Sequence, residues 1–520
     1  MPTERQHGGA PIQHFPLNLP GFFGLNKQAR GALLGPEWAT ALKNSVIDSS
    51  NRVASRKGWT AITALGDAMT GQIVQMIECT IAGVVNVVAT TADNKVWKSV
   101  NQCATWTDIT GSATVGDPNM QLVVFNNEVV GFQAGYPELR WNGAALANVS
   151  TTNAPTGGVG LAAFGRLWSK TSASLVIRYS ALLSFTDWSG GDTGLIDLTS
   201  VVGDQDVIVA LAQVNNFLVV FTNRNIVVFS DGTGSKLGIN PVNMAVVDII
   251  RGIGCAARDS VASVKGDLWF LDDTGVHSLG RLIQEKSSPL DNISRNVQDE
   301  LAGYAALTAP SSIRAVYSPA DRFYLLSLPL GSGTSETGVA FVFDTRAPIE
   351  DGAFRCMGIW NGLVPKALYV SEPGVLYMAW RSKSGRVGSY AGYLDDLATY
   401  VFEYESGWTD LGAPTLKILK RLTGLLYIQA STYVVLKWAF NFDDTFQSAT
   451  TLYPGTSADG EYGASEWGTA EFGGGVNIRE KAVGGRGTGE YVKVGMTIVI
   501  DGDQVSCQQL ALYAKAGRLN

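Results

Sequence analysis

ALAQVNNFLVVFTNRNIVVFSD, residues 210–231, is the stretch that best indicates the fold of this chain. Its runs of Val, Phe, Leu and Ile, residue types that favour strands, are interrupted at 215–216 and again at 222–225. The Asn residues in both interruptions tolerate the left-handed backbone conformation that tight hairpins need. The stretch therefore predicts successive antiparallel strands joined by short turns.

Similar stretches recur between about residues 60 and 400. Four of them are VVNVVATTADNKVWKSV (84–100), LVVFNNEVVGFQ (122–133), ASVKGDLWFLDDTGVHSLG (262–280) and ALYVSEPGVLYMAW (367–380). Their spacing is loose, roughly 40–50 residues, which is the length expected of propeller blades with about four strands each. We therefore expect a β-propeller, because closing the ring removes most exposed strand edges.

The pattern changes near residue 400. From there the alternating apolar runs are longer, and they resume after a Gly-, Ser- and acid-rich loop at 445–475, a rhythm typical of an antiparallel sandwich. The sequence thus predicts an all-β chain with very few helices. Its predicted parts are an N-terminal arm at 1–35, a β-propeller at 36–400 and a β-sandwich-like domain at 401–520.

Helices are expected at only two places. The first is PEWATALKN from Pro36, and the second is SSPLDNISRNVQDELA from Ser287. In the second, Ser288 can cap the helix and Pro289 suits its first position. Its apolar stripe consists of Leu290, Ile293, Val297 and Leu301.

The composition narrows the classes of function. The 520 residues carry a net charge of −7, which disfavours a chain that must hold nucleic acid tightly, because that affinity comes from Lys and Arg neutralising phosphates. No run approaches the length of a membrane span, and the polar, proline-broken N-terminus does not resemble a secretory signal. The five scattered cysteines suggest neither a disulfide framework nor a zinc site; they are Cys79, Cys103, Cys255, Cys356 and Cys507.

KSVNQCATWTDIT, residues 98–110, matches part of the Asp box of sialidase-type propellers, Ser-x-Asp-x-Gly-x-Thr-Trp. Ser99, Thr105 and Trp106 fall on its spacing, while Asn101 and Cys103 replace the aspartate and the glycine. In those propellers the box is a hairpin turn, remote from the catalytic centre. We therefore expect a folding element. A working sialidase would also need converging arginines, a Tyr–Glu pair and an acid Asp, and no local cluster in this sequence singles out such a set.

Other chemistry-bearing residues give weak signals. Three adjacent carboxylate pairs and an Asp-Gly-Asp sequence are expected to be solvated in turns, with calcium binding as a less favoured alternative because the EF-hand spacing is absent. The three histidines are too dispersed for a metal centre or a catalytic triad. The Gly-rich VGGRGTGEY lacks the Lys-Ser/Thr ending of a P-loop, so a mobile loop or bulge is expected. The carboxylate pairs are Asp272-Asp273, Asp395-Asp396 and Asp443-Asp444, and the Asp-Gly-Asp sequence is 501–503. The histidines are His7, His14 and His277, and the Gly-rich stretch is 483–491.

Basic residues form two small clusters. One comprises Arg52, Arg56 and Lys57, and the other is the set around KILKRL. In the latter, Lys417, Lys420 and Arg421 suit a half-buried strand whose charges meet solvent, a neighbouring subunit or, as a weaker alternative, DNA. We predict no catalytic, cofactor-binding or metal-binding residues and no enzymatic activity.

The chain as a whole resembles the tail nozzle proteins of short-tailed bacteriophages, the group that includes tail tubular protein B and tail stabilisation proteins. The likeness lies in three stretches: GLNKQARGALLGPEWATALKNSVIDSSNRVASRKGWTAI (24–62), the region from DVIVALAQ to SRNVQDEL (206–301), and YESGWTDLG with VGMTIVIDGDQVSCQQLALYAKAGR (404–412 and 494–518). It is a likeness of pattern that covers most of the chain.

This resemblance implies a structural virion protein that is assembled in the host cytoplasm. The family forms a homo-hexameric ring below the portal and adaptor, extends the DNA channel, retains packaged double-stranded DNA and allows its ejection. The implied partners are the adaptor, tail fibre, spike or needle proteins, and DNA that passes without sequence-specific binding. An acidic lumen would suit that passage. We also expect loss of residues 1–30 to weaken docking on the ring above while leaving the propeller folded.

Two alternatives remain open. One is a receptor-binding or fibre-anchoring tail protein, suggested by the Gly/Ser-rich 454–475 loop and the sandwich-like end. The other, less favoured, is a glycan-cleaving or glycan-binding propeller, suggested by the Asp-box remnant and by surface tryptophans such as Trp188 and Trp360.

Overall fold

A computed structural model describes residues 11–31, 34–231, 241–284, 292–331, 337–349, 352–380, 383–412, 415–455 and 477–517. Nearly all regular structure in these ranges is β-strand, which confirms the all-β fold class. No helix in the described ranges is long and apolar enough to cross a bilayer.

The chain begins with six short strands. These are β1 (Ile12–Asn18), β2 (Gly24–Leu25), β3 (Trp38–Lys43), β4 (Ser45–Ile47), β5 (Val53–Ser55) and β6 (Trp59–Ala61). Strand β6 belongs to a blade of the ring that follows, β1, β4 and β5 join a sheet built mainly by the end of the chain, and β2 and β3 join a sheet shared by the ring and the end of the chain. The start of the chain therefore ties both parts of the molecule together.

Four antiparallel four-stranded blades come next, each a meander of consecutive strands. The first comprises β7 (Ile73–Ile81), β8 (Val84–Thr91), β9 (Lys95–Ser99) and β10 (Thr107–Asp108), and the second β11 (Gln121–Phe125), β12 (Glu128–Phe132), β13 (Glu138–Trp141) and β14 (Leu146–Val149). The third comprises β15 (Gly160–Ala163), β16 (Arg166–Lys170), β17 (Val176–Tyr179) and β18 (Gly194–Asp197), followed by the one-turn helix α1 (Thr199–Val202). The fourth, which holds the opening stretch, comprises β19 (Ile208–Val214), β20 (Phe217–Thr222), β21 (Asn225–Asp231) and β22 (Met244–Arg251).

The remaining blades complete the ring. A three-stranded blade, β23 (Ala262–Val264), β24 (Asp267–Asp272) and β25 (Gly275–Ser278), leads into α2 (Leu279–Gln284) and α3 (Gln298–Leu307). The next position holds β26 (Arg314–Ser318), β27 (Phe323–Leu330), β28 (Thr337–Pro348) and β29 (Phe354–Trp360), and the last holds β30 (Pro365–Val370), β31 (Leu376–Trp380) and β32 (Val387–Tyr390).

The ring is closed by strand β6, which pairs with β32 as the outer strand of the last blade. The innermost strands contact their neighbours around the axis, and β30 meets β7 to complete the circle. Within the described residues, six blades are separate sheets, and a seventh position is filled by β26–β29, which belong to a larger sheet. The predicted propeller is confirmed.

The second part of the molecule is a sandwich of two sheets. Its strands are β33 (Tyr400–Ser406), β34 (Lys417–Ile428), β35 (Thr432–Phe440), β36 (Gln447–Tyr453), β37 (Asn477–Gly484), β38 (Thr488–Gly489), β39 (Val492–Ile500) and β40 (Val505–Ala516). One sheet runs β29-β3-β33-β39-β35-β36, continuous with the propeller, and the other runs β37-β34-β40-β5-β4, with β1 beside β40. Alternate side chains such as Phe402, Leu422 and Met496 are buried between them.

The predicted domain ranges do not follow these sheets. Residues 11–55, placed in an arm and in the propeller, supply β1, β4 and β5 to one sandwich sheet and β3 to the other. The physical reason is that a sandwich edge offers unpaired backbone groups to any strand, whatever its distance along the chain.

Both helix predictions need correction. The segment from Pro36 is not a helix, because Trp38–Lys43 forms β3 between β29 and β33. The second helix begins at Gln298, about ten residues later than predicted, while Ser287–Leu290 lies outside the described residues. Ile293, Val297 and Leu301 of the predicted stripe are fully buried, so the apolar positions were recognised although the helix start was wrong.

Candidate functional site

The Asp-box remnant forms a hydrogen-bonded turn after β9. Asn101 acts where the box has aspartate: its Oδ1 accepts from the Thr105 backbone N–H at 3.0 Å, and its Nδ2 donates to Thr105 Oγ1 at 2.9 Å. Ser99 Oγ accepts from the Cys103 N–H, and the buried Trp106 donates to Thr63 in the region that closes the ring. The turn is a folding element, as predicted.

The two tryptophans offered as glycan contacts are not on the surface. Trp188 and Trp360 are both 0% exposed. Trp188 packs among residues of the second and third blades, and Trp360 packs against Phe323 and Tyr390. Indole rings bury more apolar area than most side chains, so packing accounts for both positions.

A polar cluster links inner strands of the propeller and is called the axial hub; it is formed by Arg258, Asp259 and Arg314 with Gln75 and Asn119. The Asp259 carboxylate accepts two hydrogen bonds from Arg258, both at 2.9 Å, and one from Gln75 at 2.8 Å, and it forms an ion pair with Arg314 at 3.1 Å. Arg314 also donates to the Asn119 side chain at 2.5 Å. Burial alone would raise the pKa of Asp259, but the charges of Arg258 and Arg314 lower it to about 2.

The hub connects blades that are far apart in sequence. Besides Asp259, Arg258 donates to the backbone carbonyls of Gly158 and Asn119, which precede the inner strands β15 and β11. Arg314, on β26, reaches the Val74 carbonyl on β7. A cavity of about 360 Å³ is lined by Arg258, Asp259 and Arg314. The hub therefore ties four inner strands to the Arg258–Ser260 turn.

A second buried ion pair joins the ring closure to the sandwich. Arg56, which is 0% exposed, makes a bidentate contact with Asp395 at 2.8 and 2.6 Å, and its guanidinium lies over the Tyr400 ring. Asp395 also accepts from the Trp59 N–H at the start of β6. Such fork-to-carboxylate geometry is among the strongest polar contacts in proteins.

The carboxylate pairs have varied surroundings. Asp395 and Asp396 point to different partners, since Asp396 pairs with Lys383 and Arg386. The expectation that these pairs are solvated is wrong for Asp395 and for Asp272, which accepts from the Gly254 N–H and from Thr274 and is 7% exposed. Both are buried because they satisfy donors that water cannot reach.

The histidines and the Gly-rich segment singled out in the sequence have structural roles where the structure describes them. His277 is buried and its Nε2 lies 2.8 Å from Thr274 Oγ1; burial lowers the pKa of its ring. The segment 483–491 contains the end of β37 and the short β38, both paired with β34, and His7 lies outside the described residues. No three His, Cys, Asp or Glu side chains in the described ranges are grouped so as to hold a metal ion.

All five cysteines are free and buried. Burial raises the pKa of Cys79 to about 11 and that of the other four thiols to about 12. Thiolates are the reactive form, so none of these residues is set up as a nucleophile.

The outer face of the longer sandwich sheet carries an ion-pair ladder, Lys43–Glu403–Lys437–Glu405–Lys493. Successive N–O distances lie between 2.6 and 2.9 Å. Gly495 lies between Lys437 and β33, and a Cβ there would come within 2.8 Å of the Lys437 side chain, so glycine lets that lysine cross the middle strand. Four members of the ladder, all except Lys43, line a cavity of about 680 Å³.

The same face ends in an apolar row, Val401, Val499, Tyr433 and Leu452, one residue on each of β33, β39, β35 and β36. Val401 is directly opposite Val499, and Tyr433 is opposite Leu452. The four side chains are 44–66% exposed. Neighbouring exposed apolar groups of this kind mark contact surfaces more often than single ones do.

The predicted basic clusters separate in the structure. Arg52 pairs with Asp48 and Lys57 with Asp321. Lys417 is buried and donates to the Thr415 and Glu490 carbonyls.

Sequence reasoning missed the hub and one buried acid, Glu138. Glu138 is 1% exposed, and among the residues that the structure describes the Trp188 indole is the one group that offsets the burial of its carboxylate, without forming a well-aligned hydrogen bond. Burial raises the pKa of Glu138 well above its ordinary value. No motif surrounds either feature; an acid within the apolar pattern of a blade was the only signal for Glu138.

No protein-family model and no curated protein matches the chain. Among solved structures, BamB from Moraxella catarrhalis is 10% identical, with a TM-score of 0.40 over 65% of this chain and 98% of BamB. The computationally designed Ika8 protein is 12% identical, with a TM-score of 0.36 over 64% of this chain and 99% of that protein. Neither likeness informs function, and the description of the fold rests on the sheets themselves.

Proposed function

We propose that this chain is a structural subunit of a phage tail nozzle, assembled as a ring of identical copies. The proposal starts from the resemblance in sequence. The structural observation that carries it furthest is the apolar row, because four exposed side chains on an open sheet face suit burial against another subunit.

The axial hub bears on how such a ring would pass DNA. Arg258 and Arg314 reach the inner strands of several blades and are held by Asp259. A duplex could not pass between inner strands that these side chains tie together. In a nozzle the DNA channel would therefore lie between subunits, around the symmetry axis of the ring.

The first test is the mass of the purified protein in solution. Light scattering after size-exclusion chromatography, with negative-stain microscopy of the main peak, should give a six-fold ring. Tyr433→Glu with Val499→Glu should shift the protein towards monomers, because both charges would be buried at the interface. A matched pair of glutamates at the exposed Leu65 and Leu307, on the propeller part, should leave the ring intact.

The second test is location. Immunogold labelling of virions with an antibody against residues 401–520 should mark the distal end of a short tail. A wild-type protein that stays monomeric and is absent from virions would refute the proposal.

The receptor-binding alternative predicts a different result. The free protein would compete with virions for the host surface and inhibit adsorption, whereas an isolated nozzle ring would not. Most of the 454–475 loop that suggested it lies outside the described residues. The glycan alternative has lost its tryptophan argument, since Trp188 and Trp360 are buried.

A further inference from the structure

The outer face of the second sandwich sheet carries a basic row, defined by Lys420, Arg421, Lys515, Tyr513 and His14. Arg421 on β34 is opposite Tyr513 on β40, which is opposite His14 on β1. The register shifts between Leu419 and Arg421, and this bulge leaves both Lys420 and Arg421 exposed. Lys515 lies two residues from Tyr513 and therefore on the same face.

The aromatic members of the row are in contact. The Tyr513 and His14 rings are 4.7 Å apart, and the Arg421 guanidinium carbon lies 5.1 Å from the centre of the Tyr513 ring. Neighbouring strands are about 4.8 Å apart, so cation, phenol and imidazole follow one another across three strands.

Within the described part of the chain, the three cations of the row have no acidic partner. Among the residues that the structure describes, none of Lys420, Arg421 and Lys515 forms an ion pair, unlike the lysines of the ladder on the other face. A chain with net charge −7 thus concentrates positive charge beside the half-buried Tyr513 ring and the exposed His14 ring. The adjoining positions of this face, Ala511 and Thr423, are uncharged.

We propose that the basic row binds single-stranded DNA. Phosphates would contact Lys420, Arg421 and Lys515, and a base would stack on the exposed His14 ring, which Tyr513 supports from the neighbouring strand, the combination by which sheet faces hold single strands without reading sequence. This inference concerns a binding site and holds whether or not the chain forms a ring. An acidic protein segment would satisfy the charges but leave the rings without a role.

The test uses the full chain and a fluorescein-labelled oligo-dT of 20 nucleotides, with binding followed by anisotropy from 25 to 200 mM salt. Three phosphate contacts on a single strand predict that log Kd rises with log salt with a slope of about 2. The variant Lys420→Glu/Arg421→Glu/Lys515→Glu should bind at least ten times more weakly at 25 mM salt. Tyr513→Leu should weaken oligo-dT binding about fivefold and leave binding of a duplex unchanged.

The matched control reverses three exposed propeller arginines, Arg224, Arg251 and Arg322, which lowers the net charge by the same amount. It should keep most of the affinity, and circular dichroism should show that both triple variants are folded. Equal weakening by the two triple variants would overturn the proposal, as would a Tyr513→Leu protein with full affinity. Binding of polyglutamate but not of oligo-dT would assign the row to an acidic protein partner instead.

Discussion

Replacing Asp259 with Asn should open the propeller at its axis. The substitution keeps the shape of the side chain but removes the charge that holds Arg258 and Arg314, which are 13% and 4% exposed. The amide can accept one of the three hydrogen bonds well and brings its own N–H groups towards two guanidinium groups. We expect the propeller to be destabilised, while the sandwich keeps its own core.

The magnitude follows from two independent arguments. A carboxyl group whose pKa is about 2 in the folded chain and ordinary in the unfolded chain contributes roughly 2–3 kcal/mol at neutral pH. Removing one partner from a buried ion pair typically costs about 3–5 kcal/mol, because the remaining charge is left uncompensated. A loss of about 3 kcal/mol is therefore expected at pH 7.

The stabilisation by Asp259 depends on pH, and the lowered pKa sets the direction of that dependence. Because the folded pKa of Asp259 is lowered, its stabilisation is complete above the ordinary carboxyl pKa and is lost as the pH falls towards 2. The variant has no such group. The difference in unfolding free energy between the two proteins should stay constant from pH 8 to pH 5 and shrink between pH 4 and pH 2.

Urea denaturation over this pH range measures the difference, and hydrogen exchange locates it. Protection should fall in the inner strands β7, β11, β15 and β26, and remain in β34 and β40. Asp444→Asn, at a carboxylate that is 85% exposed, is the control and should change neither. A stability within about 0.5 kcal/mol of the wild type at pH 7, or a loss independent of pH, would refute the role given to the hub.

Three further predictions concern other buried polar groups. Glu138→Gln should raise the melting temperature at pH 8 but not at pH 4. The reason is that the pKa of Glu138 is raised in the folded chain, so the wild type loses stability as the pH rises above about 4. A variant that melts like the wild type at both pH values would contradict this. Asn101→Ala should cost about 1–2 kcal/mol in urea denaturation, since it removes both contacts to Thr105. Arg56→Met should lower the unfolding free energy by about 3–5 kcal/mol, because it leaves the buried Asp395 charge uncompensated, and adding Asp395→Leu should recover much of that loss. A double variant as unstable as Arg56→Met would contradict this explanation.

The sequence was sufficient for local structure because hairpins are local. Asn126 and Asn127, with φ of 45° and 59°, adopt the left-handed conformation expected between β11 and β12, and Asn215 does so between β19 and β20. Each tight turn brings the two flanking apolar runs side by side, so they pair as antiparallel strands. Repeated along the chain, this pattern was enough to predict a propeller.

The sequence was insufficient where pairing is remote. In β3, the Ala, Leu and Lys residues of the segment from Pro36 favour a helix, but hydrogen bonds from β29 and β33 outweigh that weak preference. Arg56 and Asp395 are likewise 339 residues apart, and Arg258-Asp259 lies in a short turn without a motif. The fold brings these residues together, and their types alone did not indicate it.

Because strands near the N-terminus pair with strands near the C-terminus, a truncation at the N-terminus also removes contacts of the sandwich. Seven residues of β1 pair with β40, and Leu17 and Leu25 are 4% and 1% exposed in the core shared by the sandwich and the ring. Removing residues 1–30 would delete these contacts as well as any arm, so lost docking on a neighbouring ring would not separate an interface from a damaged sandwich.

Deleting only residues 1–10 is the sharper experiment, because it removes none of the described strands. The shorter deletion should leave the melting temperature unchanged, whereas deletion of 1–30 should lower it by several degrees and expose the edge of β40 to hydrogen exchange. If both truncated proteins melted like the full chain, β1 would contribute nothing to the sandwich, and residues 1–30 would again be best described as a separate arm.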